Sequence, residues 1–300
     1  MLWCSKMPAS MGTNEPMAIF AKDQLATSYV IEGEGPTVVL IHGVGARLEN
    51  WDGVCERLVR HFRVLRYDLR GHGRSTRSPG PYSLSLFASD LRALLEHTGI
   101  GKAHIAGHSL GAMIAQMFCL KHARCVDRLA LLSAVAGRTQ EERERVVARI
   151  DLIGAGPAGQ HFRNSVSRWF SDAFIAANPD LIAAYAQRNA ENDPHCYSAA
   201  YKVLALEDLD HELAAISAPT LIATGEFDLG SNPRMSALMH RRVNGSTLRI
   251  LPGLKHSILI EAPHVVAGML EPFFQGEAVP TVEAPDGHWL IKSGWKPGSR

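Results

Sequence analysis

A serine stands between two glycines where a short apolar stretch gives way to an apolar helical pattern. The pentapeptide is Gly107-His108-Ser109-Leu110-Gly111, with apolar residues before it at 103–106 and after it at 112–120. This order predicts a strand that turns abruptly into a helix, with the Ser109 hydroxyl held at the apex. Glycine on both sides leaves no Cβ to clash in so tight a turn. A hydroxyl held beside a helix N-terminus, which favours negative charge, is a candidate nucleophile for acyl transfer.

A serine nucleophile needs a base to take its proton, and the base needs an acid to orient it. Residues 220–224 are predicted to form a buried strand, and Asp228 follows its carboxyl end. Residues 247–251 are predicted to form the next strand, and His256 follows that one. Because the carboxyl ends of parallel strands meet at one edge of a sheet, Asp228 and His256 can both reach Ser109. We therefore predict a catalytic triad of these three residues.

Neighbouring residues offer alternatives for the acid and the base. Glu226 is a rival acid, but its position is nearer the strand than that of Asp228. The end of the strand at 128–133 is another place for the acid in such sheets, but the next four residues include no carboxylate. His104 and His108 are four apart, yet they straddle a strand and its turn and are predicted to be structural or pocket-wall groups. No Cys/His arrangement has zinc-site spacing, so we expect neither a metal nor a cofactor.

Two backbone amides are predicted to stabilise the oxyanion that such a reaction forms. Residues 38–41 form a fully apolar strand, which is followed by the sequence His42-Gly43-Val44-Gly45. The Val44 N–H of this loop and the Leu110 N–H after the nucleophile would form the oxyanion hole. Preorganised donors of this kind matter, because the loss of one typically lowers turnover by about 10²–10³-fold.

The composition is normal for a globular protein. Of 300 residues, 46% are apolar and 20% are charged, and the net charge is +1. A net charge this small produces no electrostatic field that would attract nucleic acid or anionic lipid. No apolar run reaches the roughly 18 residues that a membrane span needs, and no secretory signal is evident at the start. The five cysteines have no regular spacing, which fits a reducing compartment, and we expect a cytoplasmic protein.

The order of the predicted elements indicates one sheet domain with an insertion. Strands alternate with helices as in parallel βαβ units that carry helices on both faces. Residues 137–215 include no convincing strand and are predicted to form an all-helical lid that excludes water and shapes the substrate pocket. The predicted core comprises 18–136 and 216–275, with a disordered leader at 1–17 and an irregular tail at 276–300.

Together these segments resemble the α/β-hydrolase fold superfamily from residue 19 to residue 274. The matching segments are Leu40-Ile41-His42-Gly43, 68–75, 107–111, 219–228 and 253–263. The resemblance implies an α/β fold with a mostly parallel eight-stranded sheet flanked by helices, and a helical lid inserted after the sixth strand. It also implies Ser109 as nucleophile, Asp228 as acid and His256 as base.

Within the superfamily, the lid segment 167–174 is similar to that of 3-oxoadipate enol-lactonases. Residues 80–83, 111–116 and 197–200 are also similar to that group. The resemblance implies a serine hydrolase that cleaves a small carboxylic ester or enol-lactone through an acyl-enzyme. A carboxylate on the substrate would be held by Arg168 and by Arg47, since Arg binds carboxylates in a planar fork. Trp169 would line the pocket; the alternatives are ordinary surface arginines and a tryptophan of the lid core.

Two other functions remain open at this point. Hydrolases that cleave carbon–carbon bonds of ring-cleavage products share the triad, but they often carry Trp after the catalytic histidine, where this chain has Ser257. A non-catalytic receptor on the same scaffold would use the pocket only to bind, and the intact triad argues against it. The sequence favours a small-molecule hydrolase, is compatible with a homo-oligomer, and leaves the natural substrate open.

Overall fold

The strands that the structure describes form a single sheet. The computed structural model describes residues 17–22, 25–157 and 159–279. The strands in these ranges are β1 (Ala18–Lys22), β2 (Leu25–Glu32), β3 (Thr37–Ile41), β4 (Arg63–Tyr67), β5 (Ala103–His108), β6 (Val126–Leu132), β7 (Thr220–Gly225) and β8 (Thr247–Leu251). Their order is β1-β2-β4-β3-β5-β6-β7-β8, and only the β1–β2 and β2–β4 pairs are antiparallel. The predicted mostly parallel eight-stranded sheet is confirmed.

Helices connect the strands and cover the sheet. Their bounds are α1 (Asp52–Leu58), α2 (Leu84–His97), α3 (Leu110–Lys121), α4 (Gln140–Ala155), α5 (Gln160–Arg163), α6 (Val166–Trp169), α7 (Asp172–Ala177), α8 (Pro179–Ala190), α9 (Pro194–Leu206), α10 (Pro233–Arg242), α11 (Ile258–Glu261) and α12 (Pro263–Gln275). The helices α10 and α11 were not predicted from the sequence. Asn232 caps α10 through the Met235 amide, and Pro233 is its first residue, so the local start signals of this helix were present.

The sheet separates two apolar cores because side chains alternate along a strand. In β3, Val39 and Ile41 belong to the core that contains α2 and α3, whereas Val38 and Leu40 belong to the core that contains α1 and α12. All four side chains are fully buried. A strand with both faces covered reads as a continuous apolar run, which is why its sequence has no polar alternation. This packing fixes the carboxyl ends of the strands, where the predicted site residues lie.

The chain between β6 and β7 is helical in its described part and packs over the carboxyl edge of the sheet. It contains α4 to α9, with α4 packed against α9. The helix α4 begins with a reciprocal cap, because Thr139 accepts from the Glu142 amide while Glu142 accepts from the Thr139 amide. We call residues 137–215, which carry α4 to α9, the lid. That this segment is a separate unit with these bounds stays a prediction.

Some of the sequence predictions concern parts of the chain that the structure does not describe. Except for Met17, the predicted leader lies outside the described residues, and so does the predicted tail from residue 280 onward. Among the described residues, no helix is long and apolar enough to cross a membrane.

Candidate active site

Ser109 lies at a strained turn between β5 and α3. Its φ of 57° and ψ of −119° are rarely adopted by a residue with a Cβ, and strain of this kind clusters at functional sites. A Cβ on Gly107 would lie 2.1 Å from the Gly111 carbonyl oxygen, and one on Gly111 would lie 2.2 Å from the Ile41 oxygen. Only glycine therefore fits on either side of the turn. The first amides of α3 follow directly after Ser109 and lack helical acceptors of their own.

Asp228 lies in the loop after β7, where several donors hold its carboxylate. Its Oδ1 accepts from the Gly230 and Ser231 amides, each at 2.9 Å. Its Oδ2 accepts from the Thr224 hydroxyl at 3.2 Å and from His256 Nδ1 at 2.7 Å. Burial alone would raise the pKa of Asp228, but the neighbouring His256 and the two amides outweigh it and hold the pKa below its usual value. The carboxylate is therefore ionised and fixed in position.

The hydrogen bond to Asp228 sets the tautomer of His256. Because Nδ1 donates to the carboxylate, Nε2 of the neutral ring is left as the proton acceptor. Ser109, Asp228 and His256 all line one cavity of about 390 Å³ beneath the lid. Among the described residues, no hydrogen bond joins Ser109 Oγ to His256 Nε2, and neither atom bonds to another group. Hydrogen bonds between a nucleophile and its base are often long in a free enzyme and shorten when substrate binds.

The loop after β3 lies against the Ser109 turn, since a Cβ on Gly43 would lie 3.5 Å from Ser109 Oγ. His42 donates from Nδ1 to the Gly43 carbonyl oxygen at 2.8 Å, and its Nε2 accepts from the Leu69 amide at 2.9 Å. Burial lowers the pKa of His42 to about 4, so the ring stays neutral. Since the C=O and N–H of a trans peptide point in opposite directions, fixing the Gly43 carbonyl also fixes the Val44 N–H. Val44 lines the cavity together with Ser109.

The structure separates the predicted cationic residues. Arg168 and Trp169 line the cavity from the lid, and the Trp169 carbonyl accepts from the Ser257 amide at 2.9 Å. Arg47 instead pairs with Glu191, with 2.7 Å between its Nη2 and the carboxylate, and it is not part of the described cavity wall. The geometry therefore brings Arg168 and Trp169 to the site, while Arg47 ties the loop after β3 to the lid.

Sequence reasoning missed three further arginines of the cavity wall, of which Arg145 pairs with Glu141. Arg138 is only 8% exposed, and its Nη1 has no hydrogen-bond partner among the described residues. Arg149 lies beside the Tyr201 hydroxyl, which also feels the charges of Arg138 and Arg168. Burial lowers the pKa of Arg138 and of Arg168, and the nearby Arg149 lowers that of Arg168 further. No local signal marks these arginines, because their placement depends on how the lid packs over the sheet.

The guanidinium groups of Arg138, Arg149 and Arg168 therefore lie near Tyr201 in the cavity wall. No ion pair joins Arg138, Arg149 or Arg168 to a carboxylate among the described side chains. Glu142 also lines the cavity, but its carboxylate is paired with Arg234. The described part of the chain has no cluster of three His, Cys, Asp or Glu side chains that could hold a metal ion. The site thus combines a hydrogen-bonded Asp228–His256 pair with a cationic wall.

Comparison with known proteins identifies similar hydrolases. Over 241 residues the chain is 29% identical to the (E)-2-((N-methylformamido)methylene)succinate hydrolase of Acinetobacter baylyi, which covers 79% of this chain and 90% of that protein. It is 25% identical over 258 residues to 3-oxoadipate enol-lactonase 2 of the same organism, covering 83% of this chain and 94% of the relative. These relatives match along nearly their whole length, so the likeness includes both the sheet and the lid.

A solved structure and a family model agree with this likeness. The enol-lactonase from Burkholderia xenovorans LB400 superposes with a TM-score of 0.81 at 25% identity, covering 86% of this chain and all of that one. Residues 36–263 match the family model described as the alpha/beta hydrolase fold, a range that runs from the start of β3 to the start of α12. The chain therefore belongs to the α/β-hydrolase fold family.

Proposed function

We propose that this protein is a serine hydrolase that cleaves a small carboxylic ester or enol-lactone through an acyl-enzyme. The observation that carries the proposal is the 2.7 Å hydrogen bond between His256 Nδ1 and Asp228 Oδ2 at the wall of the cavity that Ser109 also lines. This bond orients an imidazole whose other nitrogen can accept the serine proton. The cavity volume of about 390 Å³ suits a small molecule.

In the proposed reaction, His256 Nε2 takes the proton of Ser109 Oγ as that oxygen attacks the carbonyl carbon. The Val44 and Leu110 amides donate to the oxyanion that forms. His256 then returns the proton to the departing alkoxide or enolate, which leaves the acyl group on Ser109. A water molecule gives its proton to His256 and attacks the acyl carbon, which releases the acid and restores the serine. Asp228 stays ionised and stabilises the imidazolium in both steps.

The cationic wall, formed by Arg138, Arg149 and Arg168, favours a substrate that carries a negative charge away from the scissile bond. Arg168 faces the cavity, and Arg149 and Arg138 lie beside it around Tyr201. These guanidinium groups have no carboxylate ion-pair partner among the described side chains. A substrate carboxylate placed there would accept charge-assisted hydrogen bonds from them. The names of the two Acinetobacter relatives contain succinate and 3-oxoadipate, which are dicarboxylates, and this agrees with the proposed charge. Trp169 would provide an apolar wall next to His256, since their ring centroids are 6.3 Å apart.

The proposal is tested by replacing the nucleophile and assaying a substrate panel. The panel contains p-nitrophenyl acetate, enol-lactones with and without a carboxylate, and ring-cleavage dienoates. We expect the wild-type protein to hydrolyse esters or lactones and Ser109→Ala to lose that activity, while its circular dichroism and melting temperature stay unchanged. Turnover of p-nitrophenyl acetate by Ser109→Ala at the wild-type rate would refute the serine mechanism. Turnover of the dienoates alone would favour carbon–carbon bond hydrolysis.

A further inference from the structure

The candidate base lies in a loop, and its main chain is held from below by two side chains. His256 follows β8 and precedes α11, so neither a helix nor a strand fixes its backbone. Its carbonyl oxygen accepts from the Ile258 amide at 2.9 Å within the loop, and from two side chains outside it, His108 Nε2 at 2.9 Å and Ser133 Oγ at 3.3 Å. These two side chains come from the carboxyl ends of the neighbouring strands β5 and β6. Side chains at the ends of two strands thus contact the loop at His256, the residue that takes the serine proton in the proposed reaction.

His108 is built to donate this hydrogen bond. A carbonyl oxygen can only accept, so Nε2 of His108 must carry the hydrogen. The ring is buried directly beneath the loop, with its centroid 5.0 Å from that of His256. Burial lowers the pKa of His108 to about 3, so the ring remains a neutral donor through the range in which a serine hydrolase works. The residue beside the nucleophile therefore connects the serine turn to the base.

Ser133 supplies the second donor from an unfavourable backbone conformation. Its φ is 46°, and Ser109 is the other non-glycine residue with a positive φ among the described residues. This conformation is unfavourable for a residue with a Cβ. It persists only where the surrounding structure enforces it. Its hydroxyl lies 3.5 Å from that of Thr224, which in turn donates to Asp228. The Ser133 hydroxyl therefore lies between the His256 carbonyl and the Thr224 hydroxyl, which binds Asp228.

We infer that His108 and Ser133 form a carbonyl clamp that positions the base His256. The inference rests on the proposed function, because the clamp acts only through His256. Asp228 fixes the ring at Nδ1, and the clamp fixes the main chain of the same residue. Two anchors at opposite ends of one residue restrict both the loop and the side-chain torsions, which keeps Nε2 directed at the cavity. His108 and Ser133 are thus positioning residues rather than catalytic ones.

The clamp predicts a loss of turnover without a loss of substrate binding. In His108→Leu, the loop that carries His256 can shift, and a displacement near 1 Å can lower the rate by about 100-fold. We expect kcat for p-nitrophenyl acetate to fall by about 10- to 100-fold while KM changes little. His108→Gln keeps an N–H donor at a similar reach and should restore most of the loss. His104→Leu makes the same change at the other end of β5, where the ring stacks on Phe274, and should keep the wild-type kcat.

Ser133→Gly provides a second variant that does not depend on tolerance of a leucine. Glycine suits a φ of 46°, so the fold is retained while the hydroxyl is lost. We expect kcat to fall by about two- to fivefold at constant KM, as for the loss of one neutral hydrogen bond. If His108→Leu does not fold, this variant decides the question.

Measuring Ser109→Ala in the same assay separates the two levels of the argument. If Ser109→Ala is inactive while both His108→Leu and Ser133→Gly keep the wild-type kcat, the clamp is overturned and the proposed function stands. A drop in His108→Gln equal to that in His108→Leu would also overturn the clamp, because the donor would then not matter. If Ser109→Ala is as active as the wild type, the clamp and the serine mechanism both fall.

Discussion

The cavity has two sides that differ in construction. We call the strand ends and loops that carry Ser109, Asp228 and His256 the floor, and the lid helices above them the roof. The floor consists of strand ends and short loops, and its polar groups are joined by hydrogen bonds, such as those from Ser231 to Asp228 and from His108 to His256. The roof consists of lid helices as short as the four residues of α5 and α6, and it presents long cationic side chains. In the proposed reaction, the fixed groups hold the reacting atoms, and the long side chains contact the rest of the substrate. We therefore expect the floor to determine kcat and the roof to determine which substrate is bound.

Many hydrogen bonds join the two regions, and two of them flank His256. The Ser257 amide donates to the Trp169 carbonyl at 2.9 Å, and Lys255 Nζ donates to the Ser167 carbonyl at 2.7 Å. Both donors flank His256, and both acceptors flank Arg168. The loop that carries the base is therefore attached to the lid segment that carries the proposed substrate contact.

The largest expected effect comes from the floor. In Asp228→Asn the carboxylate no longer fixes the tautomer of His256 or stabilises its charged form, and kcat should fall by about 10⁴-fold. Steady-state hydrolysis of p-nitrophenyl acetate measures this loss. Glu226→Gln is the matched control, because it makes the same change two residues away on the same loop, and its kcat should stay near that of the wild type. Loss of activity in the Glu226 variant alone would show that the acid has been misassigned.

A smaller effect is expected from the roof, and it should appear in KM. Arg168→Ala removes one charge-assisted contact while Arg149 and Arg138 remain, so KM for a carboxylated ester or lactone should rise by about tenfold. KM for a neutral ester should change little. Arg163→Ala, an exposed arginine of the same lid region, serves as the control and should change neither value. Equal changes for charged and neutral substrates would contradict the proposed contact, and a fall in kcat alone would contradict the division between floor and roof.

The floor could be predicted from the sequence because its geometry follows from local rules. A glycine-flanked serine between a strand and a helix, together with Asp228 and His256 behind later strands, places three groups at one sheet edge. The roof could not be predicted in the same way. Arg47 and Arg138 have the same chemistry in the sequence, but one pairs with Glu191 and the other is buried in the cavity wall. The difference arises from how the lid helices pack, which no local pattern encodes.

The clamp on His256 lies between these two cases. His108 was recognised as a structural or pocket-wall group next to the nucleophile, but its partner is the main chain of a residue 148 positions away. Ser133 occupies the strand end that was considered for the acid, and it holds a hydroxyl there instead of a carboxylate. Main-chain contacts of this kind leave no pattern of residue types, so they become visible only when the sheet order brings β5, β6 and the loop after β8 together.

The most direct test of the serine mechanism is to trap the covalent intermediate. A fluorophosphonate reacts with an activated serine to form a stable adduct, and peptide mass mapping identifies the modified residue. The account predicts one adduct per chain, on Ser109, at a rate that falls sharply in His256→Ala and to zero in Ser109→Ala. An adduct on another residue, or unchanged labelling in His256→Ala, would contradict it.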